Sequence, residues 1–141
     1  MTDLMGYEGQ IFQGAAGAEA TNLMENSRDI GVGQEPEKGD TSRRGAGTSP
    51  PINTERVTAM GVSLEWAMLN DDTDTNLIAL RNAHKIGGPI AIRMKDKAAG
   101  KGFDGDVTVS ISDAWPYKGE QLVTISATPT REAGRDPQIY V

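Results

Sequence analysis

The sequence contains no cysteine, one histidine and few aromatic residues. Without cysteine, the chain forms neither a disulfide nor a thiolate metal site. Aromatic residues make up 5% and apolar residues 37% of the 141 residues, which predicts a lean core. The N-terminus lacks the segments of a signal peptide, and no apolar run approaches the roughly 20 residues of a membrane-spanning helix. We therefore expect a soluble protein that is made in the cytosol and has no membrane partner.

Basic residues are outnumbered: 14 Lys and Arg stand against 20 Asp and Glu, for a formal net charge of -6. A protein that binds nucleic acid by neutralising phosphates usually has the opposite sign. An acidic surface instead repels DNA, or recruits cations or basic partners. Seventeen glycines and seven prolines predict many turns and some extended, unpacked backbone.

The rest of the chain is organised around a strand, a helix and a second strand between Val62 and Met94. Apolar residues recur at every second position before the helix, which is typical of a half-buried strand (Met60, Val62, Leu64, Trp66, Met68). Asp72 or Thr73 is predicted to cap the helix, and Asp74 adds negative charge near the positive end of its dipole.

The predicted helix has one apolar stripe (Leu77, Leu80, Ala83, Ile86) and ends at Gly87, where a left-handed residue suits glycine. After Gly88-Pro89, Ile90, Ile92 and Met94 alternate with Ala91, Arg93 and Lys95, which predicts a second amphipathic strand.

Alternating patterns predict further strands at 8–13, 21–25, 28–32, 106–113 and 121–128, the last two paired as an antiparallel hairpin. Six or so strands and one helix favour a mainly β fold, an antiparallel β-sandwich or barrel, over a doubly wound α/β fold. We interpret 1–141 as a single domain.

The segment 33–54 has one large aliphatic residue, Ile52, among many glycines and prolines. It cannot bury enough apolar surface to offset its own ordering entropy. Two hypotheses remain open: a disordered surface loop, or a long extended arm that folds only against a neighbouring chain.

Residues whose side chains could take part in catalysis or bind a ligand are scattered along the sequence. His84 has no recognisable nucleophile or orienting partner, so a role in packing or at the helix end is favoured over catalysis. Helix capping explains the acidic residues at 71–74 better than a calcium site. Gly100-Lys101-Gly102 is followed by a strand, unlike a phosphate-binding loop.

Four charged residues are candidates for contacts between subunits. Asp104 and Asp106, with Asp96, bracket a glycine-rich loop, where a weak calcium site or an ordinary solvated loop is the alternative. Arg43 and Arg44 form a basic pair that either grips an acidic patch on another subunit or is simply solvated. We expect no catalytic residue, no cofactor and no metal, and therefore no enzyme.

Three stretches carry a resemblance to a known family: VTAMGVSLEWAMLNDDTDTNLIALRNAHKIGGPIAIRM, then GFDGDVTVSISDA, then YKGEQLVTISATPT. Their order resembles the major tail (tail tube) proteins of long-tailed bacteriophages and gene transfer agents over roughly 21–137. The features are an amphipathic strand, an acidic cap, a helix, a Gly-Pro-Ile strand, a glycine-rich loop and a last strand closing in Thr-Pro-Thr.

The resemblance implies a β-sandwich or barrel with a flanking helix, whose subunits form hexameric rings that stack into a hollow virion tail tube. DNA would pass through the lumen without specific binding, and tape-measure and tail terminator or baseplate proteins would be partners. It also implies synthesis in the host bacterial cytoplasm. The segment 33–54 would be the arm between subunits, and the strands around 90–94 and 107–111 would join their neighbours' strands into an inner wall.

Two alternatives remain. The chain is also consistent with an inner tube subunit of a contractile injection system, which would share the fold. A small β-sandwich module that binds carbohydrate or protein is the other; Trp115 and Tyr117, which flank Pro116, would be its stacking platform.

Overall fold

The computed structural model describes residues 3–40 and 55–140, which form an antiparallel sheet of eight strands with one α-helix. The strands are β1 (Gln10–Gly14), β2 (Asn22–Leu23), β3 (Ser27–Asp40), β4 (Glu55–Leu69), β5 (Ile90–Lys95), β6 (Phe103–Ala114), β7 (Leu122–Thr130) and β8 (Gln138–Ile139). The helix α1 is Thr75–Ile86, and a 3-10 turn at Gly6–Glu8 precedes β1. The mainly β fold with one helix is confirmed.

The order of strands in the sheet is β2-β1-β5-β6-β7-β4-β3, with β8 added to β6. The chain divides into two compact units, which are described separately: a main unit of 3–32 and 63–140, and a smaller one of 33–62. The interpretation of 1–141 as one domain stays a prediction. Within the described residues, no helix is long and apolar enough to cross a membrane.

The core of the main unit lies on one face of the sheet. In-register neighbours on this face are buried side by side, as in the rows Leu64–Ala127–Val109 and Trp66–Ile125. Helix α1 adds Leu77 and Leu80, which are fully buried. The period of two in β6, β7 and in β4 from Leu64 onward therefore identified the core face correctly, because apolar residues separated by two lie on one side of a strand. Met60 and Val62 share the pattern but belong to the smaller unit and are not buried.

The helix begins and ends for local reasons. Asp74, rather than Asp72 or Thr73, is the N-cap: its Oδ1 accepts from the backbone N–H of Asn76 at 3.0 Å. Gly87 adopts φ 76°, and its N–H donates to the Ala83 carbonyl at 2.9 Å, which ends the helix as predicted. The predicted stripe extends too far, since Ile86 is 82% exposed beyond the last turn that packs on the sheet.

Strand β5 differs from its prediction, because it is buried on both faces. Ile90, Ile92 and Met94 lie on the core face, as expected. Ala91 and Arg93 on the opposite face are buried too, since a later segment of the chain covers that part of the sheet. Because both faces of β5 are covered, neither faces solvent. The alternating sequence pattern therefore predicted the core face of β5 correctly, but not the burial of its opposite face.

Several strands are longer than predicted. The strand predicted at 28–32 continues through Asp40, so 33–40 of the expected arm is paired β-structure rather than irregular chain. β4 begins at Glu55 and β6 at Phe103, which is fully buried. Gly33–Asp40 was missed because its Gly, Pro and Glu residues carry no apolar period. The remainder of the expected arm, 41–54, lies outside the described residues.

Candidate assembly surfaces

Two of the predicted contact residues, Asp104 and Asp106, lie in a cluster of charges on the second face of the sheet. Asp106 is completely buried, and Asp104 binds Arg135 Nη2 through Oδ1 at 2.9 Å. Arg93 Nη1 lies 3.6 Å from Asp104 Oδ2, and Arg135 Nε lies 3.7 Å from Asp106 Oδ1. Two carboxylates and two guanidiniums thus neutralise each other within one chain, which offsets the cost of removing them from water.

The backbone comes close to this cluster from two sides. The N–H of Gly17 donates to both oxygens of Asp106, each at 3.1 Å. A Cβ on Gly105 would lie 2.9 Å from the Cα of Pro137, so only glycine lets the chain after β7 approach β6 this closely. The cluster therefore fastens the loop after β1 and the segment 131–137 to the sheet.

The contacts of Asp104 and Asp106 in the structure are all within the subunit, where they stabilise its fold. Their role in a contact between subunits stays a prediction, as does that of Arg43 and Arg44, which lie outside the described residues. Over 3–40 and 55–140, no group of three or more His, Cys, Asp or Glu side chains is arranged to hold a metal ion. Sequence reasoning missed Arg93 and Arg135, because their partners are distant in sequence and their spacing forms no motif.

Helix α1 covers the edge of β6 beyond the point where β5 stops pairing. β5 pairs with β6 only up to the Ile90–Val107 pair. His84 Nδ1 lies 3.1 Å from the next outward carbonyl, that of Val109, and Arg81 holds Asp113 with an Nη2 to Oδ1 distance of 2.8 Å. The hydrogen bond from Arg81 lowers the pKa of Asp113 below its ordinary 3.8. His84 thus lies in the last turn of the helix, one of the two positions that the sequence favoured, with its ring against the Val109 carbonyl.

This arrangement corrects part of the predicted inner wall. Residues 104–107 of β6 pair with β5 on one side, while 106–114 pair with β7 on the other. β5 in turn pairs with β1 along 91–95. The backbone edges of 91–93 are therefore filled within the subunit, so these positions cannot pair edge to edge with a neighbour's strand.

The turn between β6 and β7 exposes two large aromatic side chains. Trp115 is 70% exposed and Tyr117 is 100% exposed, on either side of Pro116. Asn70, just after β4, binds this region through Gln121, with Nδ2 to Oε1 at 2.6 Å. Exposed aromatic residues of this kind mark binding surfaces more often than scattered aliphatic ones do.

The smaller unit is a two-stranded ribbon, formed by 33–40 of β3 and 55–62 of β4 and called the hairpin ribbon below. None of its described residues is buried, and Val57 and Met60 are among the exposed apolar ones. Within the ribbon, Thr58 Oγ1 donates to the Glu37 carbonyl at 3.2 Å, and Lys38 Nζ lies 3.6 Å from Glu55 Oε2. An isolated two-stranded hairpin is marginally stable in water, so a partner surface would stabilise it.

Comparison with known proteins gives matches at the level of structure only. No protein-family model and no curated protein matches the sequence. The fold is similar to the tail of an empty gene transfer agent (GTA) particle refined with C6 symmetry, with a TM-score of 0.77, 15% identity, 99% of this chain covered and 100% of that chain. A native GTA virion chain matches with a TM-score of 0.71, 13% identity and coverage of 99% and 100%.

The SPP1 tail tube protein matches with a TM-score of 0.66 and 12% identity over 89% of this chain and 75% of that chain. The chain therefore has the fold of these tail proteins, which confirms the tail tube type of fold expected from the sequence.

Proposed function

We propose that this chain is a structural virion protein, the subunit of the tail tube of a long-tailed phage or gene transfer agent. Its subunits assemble into hexameric rings that stack into a hollow tube through which DNA is delivered. The observation that carries the proposal is the likeness to the C6-symmetric GTA tail, with a TM-score of 0.77 over 99% of this chain and 100% of the other. Such full coverage leaves no large element of either chain without a counterpart.

The hairpin ribbon supports the same proposal. Its described residues expose both faces and contribute nothing to a core. A segment of this kind is stable when a second copy of the chain covers it, and ordering on contact is common for polar arms. In the proposed tube, the ribbon and 41–54, with Arg43 and Arg44, form the arm between subunits.

The charge of the chain fits a tube that DNA passes through. With a net charge of -6, the subunit offers no excess of cations to hold phosphates, so DNA slides rather than binds. The partners are other copies of this chain, with tape-measure and tail terminator or baseplate proteins at the ends. The tube is made in the host bacterial cytoplasm and resides in the virion tail.

The alternatives gain less support. A carbohydrate- or protein-binding module would be monomeric and would use Trp115 and Tyr117, but the three similar structures described above are all tail or virion structures. An inner tube subunit of a contractile system would share the fold, and neighbouring genes for a sheath would distinguish it. That the chain is not an enzyme stays an expectation.

The test is negative-stain electron microscopy with sedimentation velocity on the purified protein over a range of concentrations. We expect sixfold rings or hollow tubes, and a rise in sedimentation coefficient with concentration. Particles from bacterial cells that express the protein are examined in the same way, so that assembly with the help of host factors is also detected. A protein that stays monomeric at every concentration and forms no ring or tube in the cells would contradict the proposal.

A further inference from the structure

Two segments that are far apart in the chain meet at the buried carboxylate of Asp106. They are residues 15–19 after β1, called the first strap, and residues 131–140 after β7, called the second strap. The straps touch each other, since a Cβ on Gly17 would lie 3.9 Å from that of Ala133. Asp106 Oδ1 accepts from the Gly17 N–H at 3.1 Å and lies 3.7 Å from Arg135 Nε. One carboxylate therefore joins both straps to the sheet.

Neither strap has a buried side chain of its own. All five side chains of the first strap are exposed, and in the second strap only Arg135, Pro137 and Ile139 are partly buried. The sheet face beneath them is nevertheless inaccessible: Ala91, which pairs with Gly14 on one side and Asp106 on the other, is completely buried. Because burial of apolar side chains is the main source of stability, the straps are held chiefly by polar contacts.

The closed position of the second strap has costs that opening would relieve. Arg135 Nε is buried and has no hydrogen-bond partner in the described part of the chain, since 3.7 Å is too far from Asp106 for a hydrogen bond. Tyr140 has a φ of 59°, a left-handed conformation that is unusual for a bulky residue. The carboxylate of Asp106 has also lost its water, and the attraction of a cation repays that loss only partly unless the geometry is very good.

We infer that the two straps open together as one unit, while the sheet beneath them stays folded. Because both are joined to Asp106 and to each other, the release of one removes contacts of the other. Segments with few buried apolar contacts open locally, at a lower free energy than global unfolding. Asp106, one of the predicted contact residues, meets another molecule only in the open form. The inference concerns the free subunit and holds whether or not subunits assemble into tubes.

Two cysteine variants test the opening, because the natural chain has no cysteine. Ala91→Cys places a thiol beneath the straps, and Ala127→Cys is the matched control, buried in the core on the opposite face of the sheet. The reaction of each thiol with a labelling reagent is followed on unassembled subunits at urea concentrations below the unfolding transition. We expect Ala91→Cys to react faster and almost independently of urea, since local opening exposes little surface. The reaction of Ala127→Cys is expected to rise steeply with urea.

The substitution Arg135→Gln makes the result specific to the polar cluster. In the Ala91→Cys protein it is expected to speed labelling about tenfold or more, because Asp106 loses the cation that holds the second strap. Arg131→Gln is the control: its ion pair with Asp136 is exposed and lies within the second strap, so labelling is expected to change less than about twofold. An Ala91→Cys thiol that reacts no faster than the control thiol, or no effect of Arg135→Gln, would overturn the inference.

Hydrogen exchange of the wild-type protein tests whether the straps open together, and it needs no cysteine. The Gly17 N–H, which donates to Asp106, reports on the first strap, and the Tyr140 N–H, which donates to the Gly102 carbonyl at 2.6 Å, reports on the second. We expect both amides to exchange with the same small dependence on urea, and Arg135→Gln to speed both by the same factor. A Gly17 N–H that is unaffected by Arg135→Gln would show that the straps open separately and would refute the joint opening.

Discussion

At the scale of single residues, Arg135 joins the segment after β7 to Asp104 and Asp106 of β6. We expect Arg135→Ala to lower the free energy of unfolding by about 2–4 kcal/mol, because the buried carboxylate of Asp106 loses its cation. Urea denaturation measures the change. Arg131→Ala is the matched control: Arg131 pairs with Asp136 at 2.8 Å, but both side chains are exposed, so the loss is expected to stay below about 0.5 kcal/mol. Equal losses in the two variants would show that burial of the cluster has no energetic weight.

The pair of Arg81 and Asp113 gives a prediction about pH. Its hydrogen bond lowers the folded-state pKa of Asp113 below 3.8, so the linked stability is present above that value and is lost as the pH falls through the folded pKa. Since both side chains are partly exposed, Arg81→Gln is expected to cost less than about 1 kcal/mol at neutral pH. Urea denaturation of both proteins at a series of pH values is the measurement. We expect the difference in the free energy of unfolding between the two proteins to become smaller in acid. A difference that stays constant down to about pH 2 would contradict the linkage.

The polar cluster also shows where residue-level prediction stops. From the sequence, Asp104 and Asp106 were charges beside a glycine-rich loop, in a subunit contact, a weak calcium site or a solvated loop; in the structure both lie in β6, and Asp106 is completely buried. Their partners Gly17, Arg93 and Arg135 come from three other places in the chain. Nothing in the local pattern distinguishes such an internal ion pair from a contact with another molecule, because both use the same side chains.

At the scale of elements, the predicted apolar stripe of helix α1 has a buried part, which includes Leu80, and an exposed end at Ile86. Leu80→Ala is expected to lower the free energy of unfolding by about 2–5 kcal/mol, since it leaves a cavity under a fully buried side chain. Ile86→Ala removes an exposed side chain of the same size and is expected to stay within about 0.5 kcal/mol of the wild-type value. Guanidinium denaturation of the two variants side by side is the measurement. A large loss in Ile86→Ala would mean that the stripe continues to the end of the helix after all.

The hairpin ribbon predicts a separation of stability from assembly. Val57→Asp/Met60→Asp is expected to leave the unfolding midpoint of the free subunit within about 2 °C, because both side chains are exposed in it. The same change is expected to suppress tube formation, since it places charges on a surface that a neighbour covers. Thr58→Ser in the same strand serves as the control and keeps its hydroxyl for the Glu37 carbonyl. If the charged variant formed normal tubes, the hairpin ribbon would not be part of the contact between subunits.

The strands differ in how well they can be predicted from their sequences. β7 and the part of β6 after Asp106 alternate between a covered and a more open face, so their pairing as a hairpin was predictable and is confirmed by the register from Ala114–Leu122 to Asp106–Thr130. β5 was wrongly predicted to have a solvent face. Its outer face is covered by residues about forty positions later in the chain, which lie outside the short sequence segment that was used to predict the strand. The first half of the ribbon was missed because a strand without a core has no need of apolar residues at every second position.

At the scale of the whole molecule, the acidic balance predicts how the protein treats nucleic acid. We expect no measurable binding of duplex DNA at about 0.15 M salt, since a chain of net charge -6 releases few counterions from phosphates. Fluorescence anisotropy of a labelled duplex, with subunits and with assembled tubes, is the measurement. A dissociation constant in the low micromolar range for assembled tubes would mean that cations gather on one of their surfaces, contrary to free passage of DNA.

The pairing of β1 with β5 has a consequence for how the protein is synthesised. Gln10 leaves the ribosome long before Lys95, its partner, and β6 and β7 follow later still. Contacts so distant in sequence slow folding, because the intervening chain must first be closed into a loop. For most of translation, therefore, β1 can pair only with the short strand β2, and its other edge stays open until β5 has been synthesised.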